Sequence, residues 1–335
     1  MKNDLISLFS TDEEQTQKLK KWHKQPWRTY YSLFVSKEKR KKQKIHANLL
    51  QKKHVAKLWN NFLEQYFQNK LEYFQLKPRK ELSNQKIIWQ YWGQGLEQEK
   101  LPDLVKLCFA SVDLYKADYQ VIRLDENTVR KYLDLPDFVW EKKKNPQFKP
   151  AFFADLIRLA LLDVYGGIWI DATILLTAPI KQNILEQDFF MFHRDETVED
   201  KAFWQEFNQD YFGWNDEHYV NVLNSFIVSK QKNNIVHICL DVMLSYWKTQ
   251  NNIPHYFFFQ IMFNELMNHY LTMESMQILD DTKVHLLQVK QNDRFNQEQY
   301  DLIMKQTNIH KLNYIKAFGQ GSYYEYLLSI YKICI

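Results

Sequence analysis

The chain has 335 residues, 45% of them hydrophobic and 16% aromatic, which is enough apolar surface for one large packed domain plus an appendage and too much for a disordered polypeptide. Its 44 Lys and Arg stand against 40 Asp and Glu, a formal net charge of +4, and so slight a balance excludes nucleic acid as the main ligand. The cysteines Cys108, Cys239 and Cys334 show neither zinc-ligand spacing nor a secreted disulfide framework, and read as reduced, mostly buried thiols.

The opening segment MKNDLISLFSTDEEQ reaches acidic residues before it can form the apolar run of a signal peptide, and no uncharged stretch approaches the roughly 20 residues of a membrane span. The expected location is therefore cytoplasmic, at most peripheral to a membrane. Residues 1–84 are rich in Lys, Gln and aromatics, and Leu49, Leu50, Val55, Leu58, Trp59, Phe62, Leu63 and Tyr66 recur at helical spacing, which predicts a basic helical extension. Within it the run KEKRKKQK, Lys37 to Lys44, follows Trp22, Trp27, Tyr30, Tyr31 and Phe34. Isolated lysines there read as a solvated helix face; the run beside aromatics also suits an anionic membrane surface, approached through residues 18–57.

A second unit, residues 85–335, begins where KIIWQYW predicts a first buried strand ending at Gly93. A helix over Leu101 to Tyr115, a strand in YQVIRL, a helix near Glu126 to Leu133 and a loop holding Pro146 and Pro150 come next. Then FFADLIRLALLDVYGG predicts a helix stopped at Gly166 and Gly167, and IWIDATILLT a strand. Further on, LNSFIVS reads as a strand, IVHICLDVMLSYW and YFFFQIMFNELMNHY as helices, and KVHLLQ as a strand. Such alternation predicts an α/β fold with a largely parallel sheet.

Asp155 and Arg158 lie three apart on one predicted helix face, close to its N-terminal end, where an anion is favoured. From spacing alone an intrahelical ion pair is the simpler reading; a ribose and phosphate ligand is the other. Asp171 falls sixteen residues after Asp155, at the end of an apolar strand, where α/β sheets present ligand-binding groups.

The segment AFFADLIRLALLDVYGGIWIDATILL resembles the sugar-binding region of the family 32 glycosyltransferases, especially their capsular polysaccharide synthesis branch. That region carries Ala-Asp-x-x-Arg, an apolar helix, Gly-Gly, an aromatic and an Asp-x-Asp strand end. KIIWQYWGQG resembles the family's opening strand and IHKLNY its closing one, so the likeness runs from about Lys86 to Tyr314, and the residues before it lie outside. The resemblance implies a GT-A, Rossmann-like domain behind the helical extension. It makes Trp89 the candidate nucleobase-stacking residue with Gln90 and Trp92 beside it, although for Trp92 simple packing is the preferred reading. Asp155 and Arg158 fall on positions contacting donor ribose, phosphate or sugar, and Asn224 and Ser225 on a segment bordering the donor pocket. Gln260 and Glu265 receive no role.

Asp171 matches the first acid of the Asp-x-Asp motif, but Thr173 stands where the second belongs. Mg²⁺ or Mn²⁺ on the donor diphosphate is thereby left open, with Asp171, Thr173 and His310 as the candidate ligands. Lys311 and Lys316 are alternatives for neutralising the leaving diphosphate, or plain surface lysines. The activity implied is retaining transfer of a hexose-type sugar from a nucleotide donor, UDP first, to a glycan or polyprenyl-linked intermediate of a capsular or other bacterial surface polysaccharide. It would take place at the inner face of the plasma membrane, with Asp171 and Arg158 central to catalysis. The altered motif leaves a second reading, a non-catalytic module binding nucleotide sugar or glycan.

Overall fold

The computed structural model describes residues 8–82, 86–271, 279–315 and 317–333. Three helices open it. In α1 (Glu14–Trp22) the Glu13 carboxylate accepts the backbone N–H groups of Gln15 and Thr16 as an N-cap, and α2 (Trp27–Phe34) follows. The third, α3 (Lys37–Phe67), is capped by the Ser36 hydroxyl, which accepts the Lys39 N–H. Its basic first turns stand in solvent, and from Ala47 onward the apolar residues at helical spacing turn inward.

Strand β1 (Ile87–Tyr91) is buried along its length, as its apolar run predicts. After it come α4 (Asp103–Tyr115), β2 (Gln120–Leu124), α5 (Asp137–Lys143) and α6 (Pro150–Tyr165), which Pro150 opens at a position where its missing N–H costs nothing. Gly166 ends α6 at φ +70°, and Gly167 follows at φ +104°, where a Cβ would come within 2.5 Å of the Ile87 carbonyl oxygen; the two glycines let helix turn directly into strand. The segment expected as one strand is two, β3 (Gly167–Ile170) and β4 (Ile174–Leu176), separated by a turn in which the Ile174 N–H donates to Asp171 O at 2.9 Å.

The remainder comprises α7 (Gln182–Leu185), β5 (Phe189–His193), α8 (Lys201–Asn208), β6 (Val222–Ser229), α9 (Asn234–Thr249), α10 (Phe258–His269), α11 (Leu286–Lys290), α12 (Gln297–Gln306), β7 (Ile309–Lys311) and α13 (Tyr323–Ile330). KVHLLQ is not the expected strand: Lys283–His285 form a 3-10 turn that runs into α11.

The main sheet runs β2-β1-β3-β6-β5, with β1 parallel to β2 and β3, and β6 antiparallel to β3 and β5. It is thus half parallel, the expected parallel part being β2-β1-β3. The fold is the α/β, Rossmann-like class expected, with a helical N-terminal region. The closing strand β7 pairs antiparallel with β4 in a separate two-stranded sheet, Ile174 opposite Lys311 and Leu175 opposite His310. Helix α6 lies on β1, β3 and β6 and against α9, while α10 joins β6 to α3. There the Trp59 ring sits 4.6 Å from Phe258 and 5.0 Å from Phe9, and its indole N–H donates to the Phe258 carbonyl at 3.1 Å. The change of sequence character near residue 85 is therefore bridged by one continuous apolar core.

Candidate functional site

The parallel strands end on a cleft of about 530 Å³. Its floor is where β3 stops: Asp171 follows Ile170, and its N–H donates to Ser225 O at 2.9 Å, a contact that fixes the carboxylate against β6. Arg158 reaches the same point from α6. Its Nη2 lies 3.3 Å from Asp171 Oδ1 and 3.2 Å from Asp155 Oδ1, its Nη1 donates to the Asn224 carbonyl, and its guanidinium stands 5.2 Å from the Trp169 ring centre. The Trp169 indole N–H donates to Asp171 Oδ1 at 2.7 Å. Asp155 also accepts from Asn224 Nδ2 at 3.0 Å, and Asn224 Oδ1 accepts from Gln260 Nε2 at 3.0 Å, so one polar chain links α10, β6 and α6. Burial pushes the Asp155 carboxyl up to about 6; Arg158 opposes that shift and Asp171 reinforces it.

Asp155, Arg158, Asp171, Thr173, Asn224 and Ser225, predicted from sequence, thus line one cleft, and Gln260 joins them. Trp89 and Gln90 do not, and their expected base contacts are corrected here. Trp89 is fully buried in mid-strand, where its indole N–H donates to Gly166 O at 2.9 Å and its ring packs edge-on to Tyr132 at 5.7 Å and beside Tyr165 at 5.4 Å. Gln90 is equally buried and accepts from Arg123 Nε at 3.0 Å. From the opening segment it is Tyr91 and Trp92, at and just past the strand end, that line the cleft, the Trp92 ring 6.2 Å from that of Tyr314. Trp92 was expected only to pack, and Tyr314 and the exposed Tyr256 were missed; position just beyond a strand's C-terminal end was the signal available for Trp92.

His310 is also corrected. Adjacent residues on a strand face opposite ways; Lys311 of β7 faces the cleft, so His310 turns into the core, fully buried, with Nε2 3.0 Å from Thr177 Oγ1. Burial holds its pKa down to about 3, so the ring is neutral. Glu265 lies away from the cleft, bonded to Asn60 of α3 and to Asn264. Lys316 is outside the described residues.

Lys311 Nζ donates to Thr173 Oγ1 and lies 3.9 Å from Asp171 Oδ2. Burial lowers the pKa of this ammonium, and the Asp171 carboxylate works against that shift. The residues at the end of β3 do not fit a divalent cation. One oxygen of Asp171 is taken by Arg158 and Trp169, the other faces Lys311, and the Thr173 hydroxyl is occupied by the same ammonium. Among the described residues no three His, Cys, Asp or Glu side chains are grouped as a metal site.

Fold and site together define an α/β protein with a cleft at the end of its parallel strands in which two cations, Arg158 and Lys311, are braced by two carboxylates, Asp155 and Asp171. The family described as capsular polysaccharide synthesis protein matches residues 9–327, and the chain belongs to that family. The match takes in the helices before Lys86, which the sequence reading had placed outside the resemblance. No curated protein matches the chain. Among solved structures, PaToxG Glycosyltransferase is similar at 12% identity over 65% of this chain and 78% of that one, with a TM-score of 0.34.

Proposed function

We propose that the chain is a glycosyltransferase that takes a nucleotide sugar, UDP-linked in the first instance, and moves a hexose-type sugar to a capsular or other surface polysaccharide intermediate. The observation that carries this reading is the convergence of Asp155, Arg158, Asp171 and Lys311 on one cleft beside the aromatic pair Trp92 and Tyr314. Trp92 and Tyr314 offer flat faces for a base, Asp155 accepts ribose or sugar hydroxyls, and the two cations meet the diphosphate.

Retention fits the same geometry. An inverting reaction needs a free general base, a carboxylate or a neutral imidazole. Among the described residues lining the cleft, the carboxylates Asp155 and Asp171 are both paired to Arg158, and burial holds the His285 imidazole down to about 4, which makes it a weak base. In the retaining course the bond from the anomeric carbon to the diphosphate oxygen breaks with its electron pair leaving on the diphosphate. The acceptor oxygen then bonds to the anomeric carbon from the same face and passes its proton to the departing phosphate oxygen.

The acceptor is taken to be a glycan or polyprenyl-linked oligosaccharide. A second hollow of about 500 Å³ shares Asn208, Tyr256 and Phe257 with the cleft and is walled by Lys20, His23, Lys44 and Asn48 of the N-terminal helices, which suits such an acceptor. Membrane attachment would come from those helices, since no helix among the described residues is long and apolar enough to cross a membrane.

The test is a panel of nucleotide sugars, UDP-linked first, followed by nucleoside diphosphate release. One donor should be hydrolysed slowly by the wild type, and Asp171→Asn should lower that rate by about 10²-fold or more with the circular dichroism spectrum unchanged. Full activity in the variant would remove the assignment, and binding without turnover would favour a sugar-binding module.

A further inference from the structure

We propose that Lys311 does the work of the divalent cation, its ammonium meeting the donor's diphosphate directly, so that the diphosphate is bound without Mg²⁺ or Mn²⁺. This rests on reading the cleft as a nucleotide-sugar site.

The argument begins with Thr173. Where the resembling motif has a second carboxylate, this chain has a hydroxyl, which accepts a hydrogen bond from Lys311 and carries no charge. An aspartate there would pair with the ammonium and cancel it. Threonine anchors the lysine without adding a second carboxylate, so Asp171 at 3.9 Å is the acid its charge faces. The backbone holds both residues in register: Ile174 is opposite Lys311 across β4 and β7, and the Leu312 N–H donates to Thr173 O at 2.9 Å.

The remaining distance to Asp171 matters as well. At 3.9 Å from Oδ2 the ammonium lies beyond hydrogen-bond reach of that carboxylate. Among the described residues its hydrogen bond goes to Thr173, and two of its three N–H donors are left for a ligand. Arg158 lies on the other oxygen of Asp171, so the carboxylate separates two cations aimed at the same cleft. A diphosphate entering there would exchange water for both, and the charge that grows on its oxygen as the glycosidic bond breaks would be met by positions already set.

The test uses inorganic pyrophosphate as probe, in equilibrium dialysis, and Mn²⁺ alone, followed by electron paramagnetic resonance. Wild type should bind pyrophosphate in the presence of EDTA. Lys311→Met should weaken that binding by about 10-fold or more, and Lys311→Arg should stay within a few-fold of wild type, which guards against loss of fold as the cause. Mn²⁺ should show no stoichiometric site in the wild type. In Thr173→Asp/Lys311→Ala, a carboxylate replaces the hydroxyl and the ammonium is removed, and Mn²⁺ binding should appear. Loss of pyrophosphate binding in EDTA, wild-type binding by Lys311→Met, or a stoichiometric Mn²⁺ signal lost in Asp171→Asn would each overturn the proposal. A donor panel without turnover would count against the transferase reading alone, because the pyrophosphate and Mn²⁺ measurements need no sugar donor.

Discussion

Trp89 and Trp92 are three residues apart and face different tasks. The first is sealed between Tyr132 and Tyr165 with its N–H satisfied by Gly166, and the second stands at the mouth of the cleft near Tyr314. Trp89→Ala should cost about 3–5 kcal/mol of stability in urea unfolding, the range for truncating a buried tryptophan. Trp92→Ala should leave the unfolding midpoint nearly unchanged and weaken UDP binding about 10-fold, as loss of one stacking face does. The opposite pairing of effects would return the base to Trp89. Asp155, Arg158 and Asp171 were legible through the family resemblance of their segment; spacing alone favoured an ion pair between Asp155 and Arg158, which does form at 3.2 Å. Trp89 and His310 were misread for a different reason: both are strand residues, and a strand's two faces exchange with a shift of one position. Which face meets the cleft depends on partners far away in the chain.

At the scale of elements, local periodicity revealed α6, α9 and α10, whose apolar stripes are long, whereas the short KVHLLQ could not be told apart as strand or helix. β5 escaped notice, since FFMFH is buried throughout and shows no alternation. Helix α3 conceals another feature, Lys52, which is fully buried and donates to the Asp210 carbonyl at 2.7 Å. Burial lowers its pKa to about 7, against the pull of Asp210. Between that value and the unfolded one near 10.4, the unfolded chain binds more protons than the folded chain, so stability rises with pH across that window. Compared with Lys52→Met, the wild type should gain about 2 kcal/mol between pH 7 and pH 9 in urea titrations. A difference that stays flat with pH would mean the lysine keeps its ordinary pKa in the fold.

For the whole molecule, the cleft, the second hollow and the N-terminal helices form a continuous series, through the shared Asn208, Tyr256 and Phe257. Two features of those helices are costly for a protein meeting only water. Trp27, Tyr30, Leu33 and Phe34 share one face of α2, and Leu33 and Phe34 are 73% and 77% exposed. The basic run occupies the first turns of α3, where the helix dipole disfavours cations, with Glu38 the acidic side chain of the first turn. An anionic lipid surface would relieve both, burying the aromatics at the headgroup boundary and pairing with the lysines at about 1 kcal/mol each. The expected outcome is co-sedimentation with vesicles of phosphatidylcholine and phosphatidylserine, and little with phosphatidylcholine alone. Replacing Lys37, Lys39, Lys41, Lys42 and Lys44 by Gln should reduce binding by about 10-fold or more and remove its salt dependence. Leu33→Ser/Phe34→Ser should weaken the remainder without altering donor hydrolysis, because neither residue lines the cleft. Unchanged vesicle binding in the lysine variant would mean that this charge serves only to keep the helix solvated. The acceptor would then have to reach the second hollow from solution.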